Sequence, residues 1–186
     1  MSEVGDEFAY ELKIPKERVA VLIGKQGNVK KQIETSTASM LHIDSEEGEV
    51  KLIGTEAMGL YTAREIVRAV GRGFNPDIAM LLLKQDYGLE QININDFAET
   101  ANDLKRLKGR VIGEEGKSRR LIEELTGCYL SVYGKTVCIL GNLEWLPSAR
   151  RAIESLLSGS PHSSVYHWLE KRKKELRRRE LTGDVW

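Results

Sequence analysis

Gly24-Lys25-Gln26-Gly27 and Gly113-Glu114-Glu115-Gly116 stand 89 positions apart, each behind a β-branched residue, Ile23 or Ile112. Glycine turns through φ > 0 without strain, and with no Cβ it lets an outside group approach the main chain. A Gly-x-x-Gly loop that opens a helix turns unpaired N–H groups toward that approach, which suits a phosphate. Gly24 and Gly27 are expected to present backbone N–H groups, with Lys25 adding charge beside Gln26. Lys30 and Lys31 stand as auxiliary cations on the segment that follows. In the second copy Glu114 and Glu115 repel phosphate. Lys117, Arg119 and Arg120 follow at once and restore attraction from the helix start. One Gly-x-x-Gly would equally serve a tight helix–helix turn. Two in matching context argue for a binding loop.

Bond-making chemistry is not indicated. Gly113-Glu114-Glu115-Gly116-Lys117-Ser118 imitates a nucleotide-binding P-loop, but that motif needs a glycine five residues before Gly116, where Val111 stands. It must also follow a strand, whereas Leu104 to Ile112 reads as a helix. His42, His162 and His167 have no metal-ligand spacing, and no nucleophile stands in a recognisable setting. The chain therefore reads as a non-enzyme without metal or cofactor. Cys128 and Cys138 read as buried thiols rather than a bridge or a zinc site.

The loops need elements to hold them, and hydrophobic spacing supplies these twice. Phe8 to Ile14 alternates as a strand ended by Pro15. Helices are predicted over Lys16–Ile23 and Asn28–Thr37, with Val29 and Ile33 as the buried stripe of the second. Strands at Met40–Ile43 and Glu49–Ile53 flank a turn, and a helix over Glu56–Val70 closes at Gly71 and Gly73. Asn75-Pro76 opens a short connecting helix over Ile78–Leu83, and Asp86-Tyr87-Gly88 reads as a turn. The order then repeats, with a strand at Gln91–Asn95, helices at Leu104–Ile112 and Lys117–Thr126, strands at Tyr129–Val132 and Thr136–Leu140, and a helix at Leu143–Leu157. Ile33, Glu34, Thr37 and Leu41 recur as Ile122, Glu123, Thr126 and Leu130, again 89 positions on. Val50 and Gly54 meet Val137 and Gly141 at 87, so a loop has lost two residues. Past Pro161, Val165, Leu169, Leu176 and Trp168 form a thin apolar stripe on an otherwise basic helix, expected to lie against the body.

The 186 residues are 41% hydrophobic and carry no formal net charge, which argues against indiscriminate coating of nucleic acid. Residues 1–93 hold 11 basic against 15 acidic residues, a balance of −4, and residues 94–186 hold 17 against 13, a balance of +4. Such asymmetry is compatible with a nucleic-acid partner. No run approaches the ~20 apolar residues of a membrane span. The acidic Met1–Glu7 lacks the order of a signal peptide, so a cytoplasmic protein is expected.

The strand, helix and Gly-x-x-Gly order resembles the eukaryotic-type K-homology (KH) domain, present twice. The fold expected is α+β, two tandem type I KH domains of order β-α-α-β-β-α with a basic C-terminal helix. Their bounds are read as residues 1–74 and 88–159, joined by a connector at 75–87 and followed by an extension at 160–186. The resemblance implies that each loop clamps about four nucleotides of a single strand. Ile23, with Leu41 and Ile43, would line the apolar groove. The stretches Arg106–Gly113, Gly116–Gly127, Ser131–Val137 and Ser160–Tyr166 further resemble the archaeal counterparts of the partner-of-Nob pre-ribosomal factor. That resemblance implies binding near the 3′ end of small-subunit rRNA during maturation. It also implies partnership with the Nob endonuclease and the alpha subunit of translation initiation factor two. Two alternatives stay open: a docking scaffold in which only the first domain binds RNA, and a general transcript-binding KH protein.

Overall fold

The structure, a computed structural model, describes residues 8–182; the acidic Met1–Glu7 stretch lies outside them. The described residues form two compact units that divide between Leu89 and Glu90. In the first, β1 (Phe8–Lys13) leads into α1 (Lys16–Ile23), and a tight turn at Lys25–Gly27 opens α2 (Asn28–Thr37). Strands β2 (Ser39–Asp44) and β3 (Glu49–Gly54) follow, then α3 (Ala57–Gly71). The sheet is antiparallel in the order β1-β3-β2, with Tyr10 opposite Leu52 and Leu41 opposite the same Leu52. Leu22, Ile33, Leu41, Leu52, Leu60 and Ile66 are fully buried beneath the three helices. The β2–β3 turn is set by Asp44, whose Oδ1 accepts from the N–H groups of Glu46 and Glu47. Those N–H groups, Glu47's first, hold its carboxyl below its usual pKa.

A short helix α4 (Pro76–Ala79), capped by the Asn75 side chain on Asp77 N–H, continues as a turn at Met80–Leu83. The second unit repeats the plan with β4 (Tyr87–Asn93), α5 (Ala101–Ile112), α6 (Lys117–Thr126), β5 (Tyr129–Tyr133), β6 (Thr136–Asn142) and α7 (Leu146–Leu157). Its sheet order, β4-β6-β5, matches the first. Helix α8 (His162–Thr182) packs on α6 and α7 as the apolar stripe required. Val165 and Leu169 enter the second core, and Arg151 stacks its guanidinium 4.7 Å from the Trp168 ring centroid.

Several boundaries differ from the sequence reading. Tyr87 and Gly88 belong to β4 rather than a turn, and the chain leaves the sheet at Ile94–Phe97 in a tight turn that buries Ile94. Helix α5 begins at Ala101, three residues early, because the Thr100 hydroxyl accepts from Asp103 N–H and caps it. Helix α7 begins at Leu146 rather than Leu143, with Pro147 in its first turn where a missing N–H is harmless. Gly71 closes α3 as the sequence reading has it: a Cβ there would lie 2.7 Å from Ile14 Cγ2, so the glycine admits β1's end to the helix.

Each unit ties its first helix to its last with an arginine. Arg18 donates to the carbonyls of Val70 and Phe74 at 2.8 and 2.7 Å, satisfying the C-terminal end of α3. Arg110 does the same at Leu156 and Ser160, at 3.0 and 2.6 Å. His162 Nε2 then bonds the Arg110 carbonyl at 2.8 Å, which seats the start of α8.

Both cysteines are free and buried, in agreement with the sequence. Burial raises the Cys128 thiol to about 11 from an ordinary 9.0. The unfolded chain therefore holds fewer protons at this site between those values, so its contribution to stability declines as pH rises from about 9 to about 11. The expected loss is at most about 2 kcal/mol. Urea unfolding at pH 8 and pH 10.5 checks this: the wild type should lose more stability across that interval than Cys128→Ala. Equal losses would show that the thiol does not titrate on unfolding.

Candidate nucleic-acid interface

The two loops have nearly the same backbone. Gly24 and Gly113 take φ/ψ of 73°/174° and 74°/173°, Gln26 and Glu115 take 53°/25° and 49°/27°, and Gly27 and Gly116 take 76°/16° and 76°/14°. Two left-handed residues in succession reverse the chain between helices without a longer linker. The glycines do different work. A Cβ on Gly24 would overlap Asn28 Oδ1 and Val29 Cγ2, and one on Gly113 would lie 2.7 Å from Ser118 Cβ. Gly27 has open space where its Cβ would be, and is required only by its positive φ.

The hydrogen bonds correct one expectation. The N–H groups of Gly24 and Gly27 do not face outward, since they donate to Ala20 O at 3.0 Å and Gly24 O at 3.2 Å. Gly113 and Gly116 repeat this with Gly109 O and Gly113 O at 2.8 and 3.2 Å. The first N–H groups of each turn are those of Lys25 and Gln26, and of Glu114 and Glu115, which precede its first internal bond. The glycines shape the loop, and the residues between them open its turn.

Around the first loop the Lys25 and Lys31 side chains have no ion-pair partner among the described residues, while Lys30 lies 3.9 Å from Glu34. Ile23 is half-buried at the mouth. Leu41, expected in the groove, is fully buried in the core beneath it, so Ile43, half-buried on the same strand, is the exposed apolar group there. Lys30 and Ile43 share the wall of an open cavity of about 790 Å³ with His42 and Lys51. Around the second loop Ile112 is exposed, and Glu114 and Glu115 stand in solvent. Arg120 turns back so that Nη1 lies 3.7 Å from the Cβ position of Gly116, bringing a cation to the acidic tip beside Lys117. Arg119 points the other way, 3.8 Å from Glu123.

Sequence reasoning passed over two residues of this surface, Glu34 and Glu123. Each accepts the N–H of a β2 or β5 residue, Leu41 or Leu130, at 2.8 Å. Their recurrence 89 positions apart was the signal that could have found them. A helix precedes the second loop, so the P-loop likeness has no structural support. Among the described residues no cluster of metal-ligating side chains occurs, and no helix is long and apolar enough to cross a membrane.

Comparison with known proteins places these features. Residues 88–174 match the family model of a eukaryotic-type KH domain (KH-domain type I), and residues 9–69 match that of a KH domain. The chain is 50% identical to a KH domain-containing protein of Methanocaldococcus jannaschii, over 98% of this chain and 82% of that protein. It is 33% identical, over 67% of its own length, to the pre-rRNA-processing protein pno1 of Aspergillus fumigatus, and spans about half (51%) of that longer protein. Among solved structures it resembles a chain of the a/eIF2alpha–aDim2p–rRNA complex from Pyrococcus horikoshii, at 47% identity and a TM-score of 0.86, covering 93% of this chain and 98% of that one.

The two glycines of a loop should separate on substitution. Gly27→Ala is expected to cost about 1–2 kcal/mol, the strain of a left-handed alanine. Gly24→Ala adds an overlap with Asn28 and Val29 worth a further ~1–3 kcal/mol. Chemical denaturation of the two variants measures the difference. Equal costs would mean that the loop relaxes around either side chain.

Proposed function

The chain belongs to the tandem KH family of the pre-rRNA-processing PNO1 and Dim2 proteins, and from that membership we propose that it binds single-stranded RNA in small-subunit rRNA maturation, near the rRNA 3′ end. One observation carries the reading: two loops of matching backbone, each opening a helical turn whose first N–H groups belong to the residues between the glycines, beside an exposed or half-buried isoleucine. N–H groups hold phosphate oxygens, and an apolar wall receives base faces. Ile23, Gly24, Lys25, Gln26, Gly27, Lys30 and Lys31 form the first RNA-facing set in this proposal. Ile112, Gly113, Glu114, Glu115, Gly116, Lys117, Arg119 and Arg120 form the second, with the glycines shaping the loop. The scheme takes residues 1–74 and 88–159 as the RNA-binding domains, 75–87 as connector and 160–186 as an extension.

A relative stands in a complex with rRNA and a/eIF2alpha, which supports the same two partners for this chain. We extend the partnership to the Nob endonuclease, to which the protein would present its strand. It would then be a carrier and not an enzyme, working in the cytoplasm. Two grooves on one strand gain roughly 10²–10⁴-fold over one when the strand spans both. A second reading has a specific observation behind it. Glu114 and Glu115 are exposed and unpaired, so the second unit suits a basic protein surface, with RNA left to the first.

Fluorescence anisotropy with a single strand matching the small-subunit rRNA 3′ end separates these readings, against scrambled, DNA and duplex controls. Lys25→Asp/Gln26→Asp and Lys117→Glu/Arg120→Glu should each weaken binding at least tenfold. Each should also lower the salt slope by about 0.7 for every phosphate that is no longer neutralised. Weaker binding in the first variant alone would assign the second unit to a protein. No preference over the scrambled strand would overturn the rRNA assignment.

A further inference from the structure

Glu34 and Glu123 occupy the same place in the two units and make the same bond. Each lies on the helix after the loop, at the end of the second turn, and reaches across to the neighbouring strand. There Oε1 accepts the N–H of Leu41 or Leu130 at 2.8 Å. That N–H is not part of the sheet ladder. In an antiparallel pair alternate residues turn their backbone groups toward and away from the partner strand. A Leu41 N–H given to Glu34 therefore points away from β3, along the free edge of β2, and Ile43 shares that edge. In the second unit Leu130 and Val132 stand likewise on the free edge of β5, opposite β6. The carboxylates thus bridge the helix and the strand edge, downstream of the loop.

Neither carboxylate is used up by this bond. Their side chains remain 23% and 26% exposed. Glu34 Oε2 has no partner among the described residues, since Lys30 approaches Oε1, at 3.9 Å. Glu123 Oε2 has only Arg119 Nε, at 3.8 Å and beyond hydrogen-bond range. A clip between helix and strand needs one oxygen. The second is held in place by the first and can only accept.

We infer that Glu34 and Glu123 are specificity-determining residues that read a base carrying an exocyclic amine, cytosine or adenine, and reject uracil. The inference rests on the RNA-binding reading above and names what that groove selects. A carboxylate oxygen accepts from cytosine N4 or adenine N6, whereas uracil presents the O4 oxygen where cytosine has its amine. Two acceptors facing each other repel. The Leu41 and Leu130 bonds fix the reading oxygen against the backbone, so the preference needs no side-chain ordering when the strand arrives. Lys30 and Arg119, one turn back toward the loop, hold the carboxylate charge away from the phosphates.

Glutamine separates reading from clipping. In Glu34→Gln and Glu123→Gln, Oε1 still accepts the strand N–H, while the cleft now meets an amide donor. The probe is the rRNA 3′-end strand with each position varied through the four bases. Further strands carry 2-pyrimidinone for cytosine or purine for adenine, which removes only the amine. Dissociation constants are read by anisotropy, with thermal unfolding as a fold control. The wild type should favour amine over uracil by roughly tenfold at one position per working groove, and lose as much when the amine alone is removed. The matching Gln variant should lose or invert the preference at that position only. Base profiles unchanged in both Gln variants, with binding intact, would overturn the reader role and leave RNA binding standing. Absence of binding to any strand would overturn both.

Discussion

Everything in each unit depends on a reversal of the chain in four residues between two helices that must stay packed. The sequence Gly-x-x-Gly meets it with two left-handed residues at the third and fourth positions, of which only the fourth is glycine. Gln26 and Glu115 hold φ near +50°, a conformation that costs a side-chain-bearing residue about 1–2 kcal/mol. The bonds from Gly27 to Gly24 and from Gly116 to Gly113 hold the turn closed against that cost. With both glycine N–H groups spent in this way, the strained residue and its predecessor supply the first N–H groups of the turn. Strain and the turn's opening donors coincide because one turn produces both.

The units are small, and a domain of about this size buries only some 60% of its chain's surface. Each compensates at the place where a helix end would otherwise expose carbonyls. Arg18 and Arg110 each give two hydrogen bonds to the end of the last repeat helix, from different positions on the first. The second unit adds α8, whose Val165 and Leu169 extend its core and whose His162 locks onto the arginine's own carbonyl. The basic residues of α8 are then carried on a helix already anchored at its start. Near-zero net charge fits this design, because only a few phosphates need to be met when bases supply the selectivity.

The helices and strands around the loops were legible because their apolar spacing is regular and because each occurs twice. Ile33 and Ile122, or Val50 and Val137, fix the register of one copy by the other. The start of α5 was not legible, since Ala101, Asn102 and Asp103 carry no apolar period and only the Thr100 cap declares them. Tyr87-Gly88 looked like a turn because glycine usually breaks strands, yet it opens β4. In the site, residue types indicated the loop but not that the glycine N–H groups are engaged. That depends on backbone angles that two glycines permit without dictating. Leu41 illustrates a further limit: alternation places it on the inner face, but whether that face meets ligand or core is decided by the helices above it.

Glu34 and Glu123 show why a repeated residue needs a structural test before it is given a role. Repetition alone is what common descent of two units produces. The geometry adds that both side chains cross to an edge N–H that no strand of the same sheet satisfies, and that each keeps a second oxygen outside that bond. An unpaired N–H on a strand edge invites another strand. The carboxylate removes that hazard while leaving the next edge residue, Ile43 or Val132, open beside the loop. The clip divides the strand edge into a closed part and an open part, and the open part lies where a strand held by the loop would lay its bases.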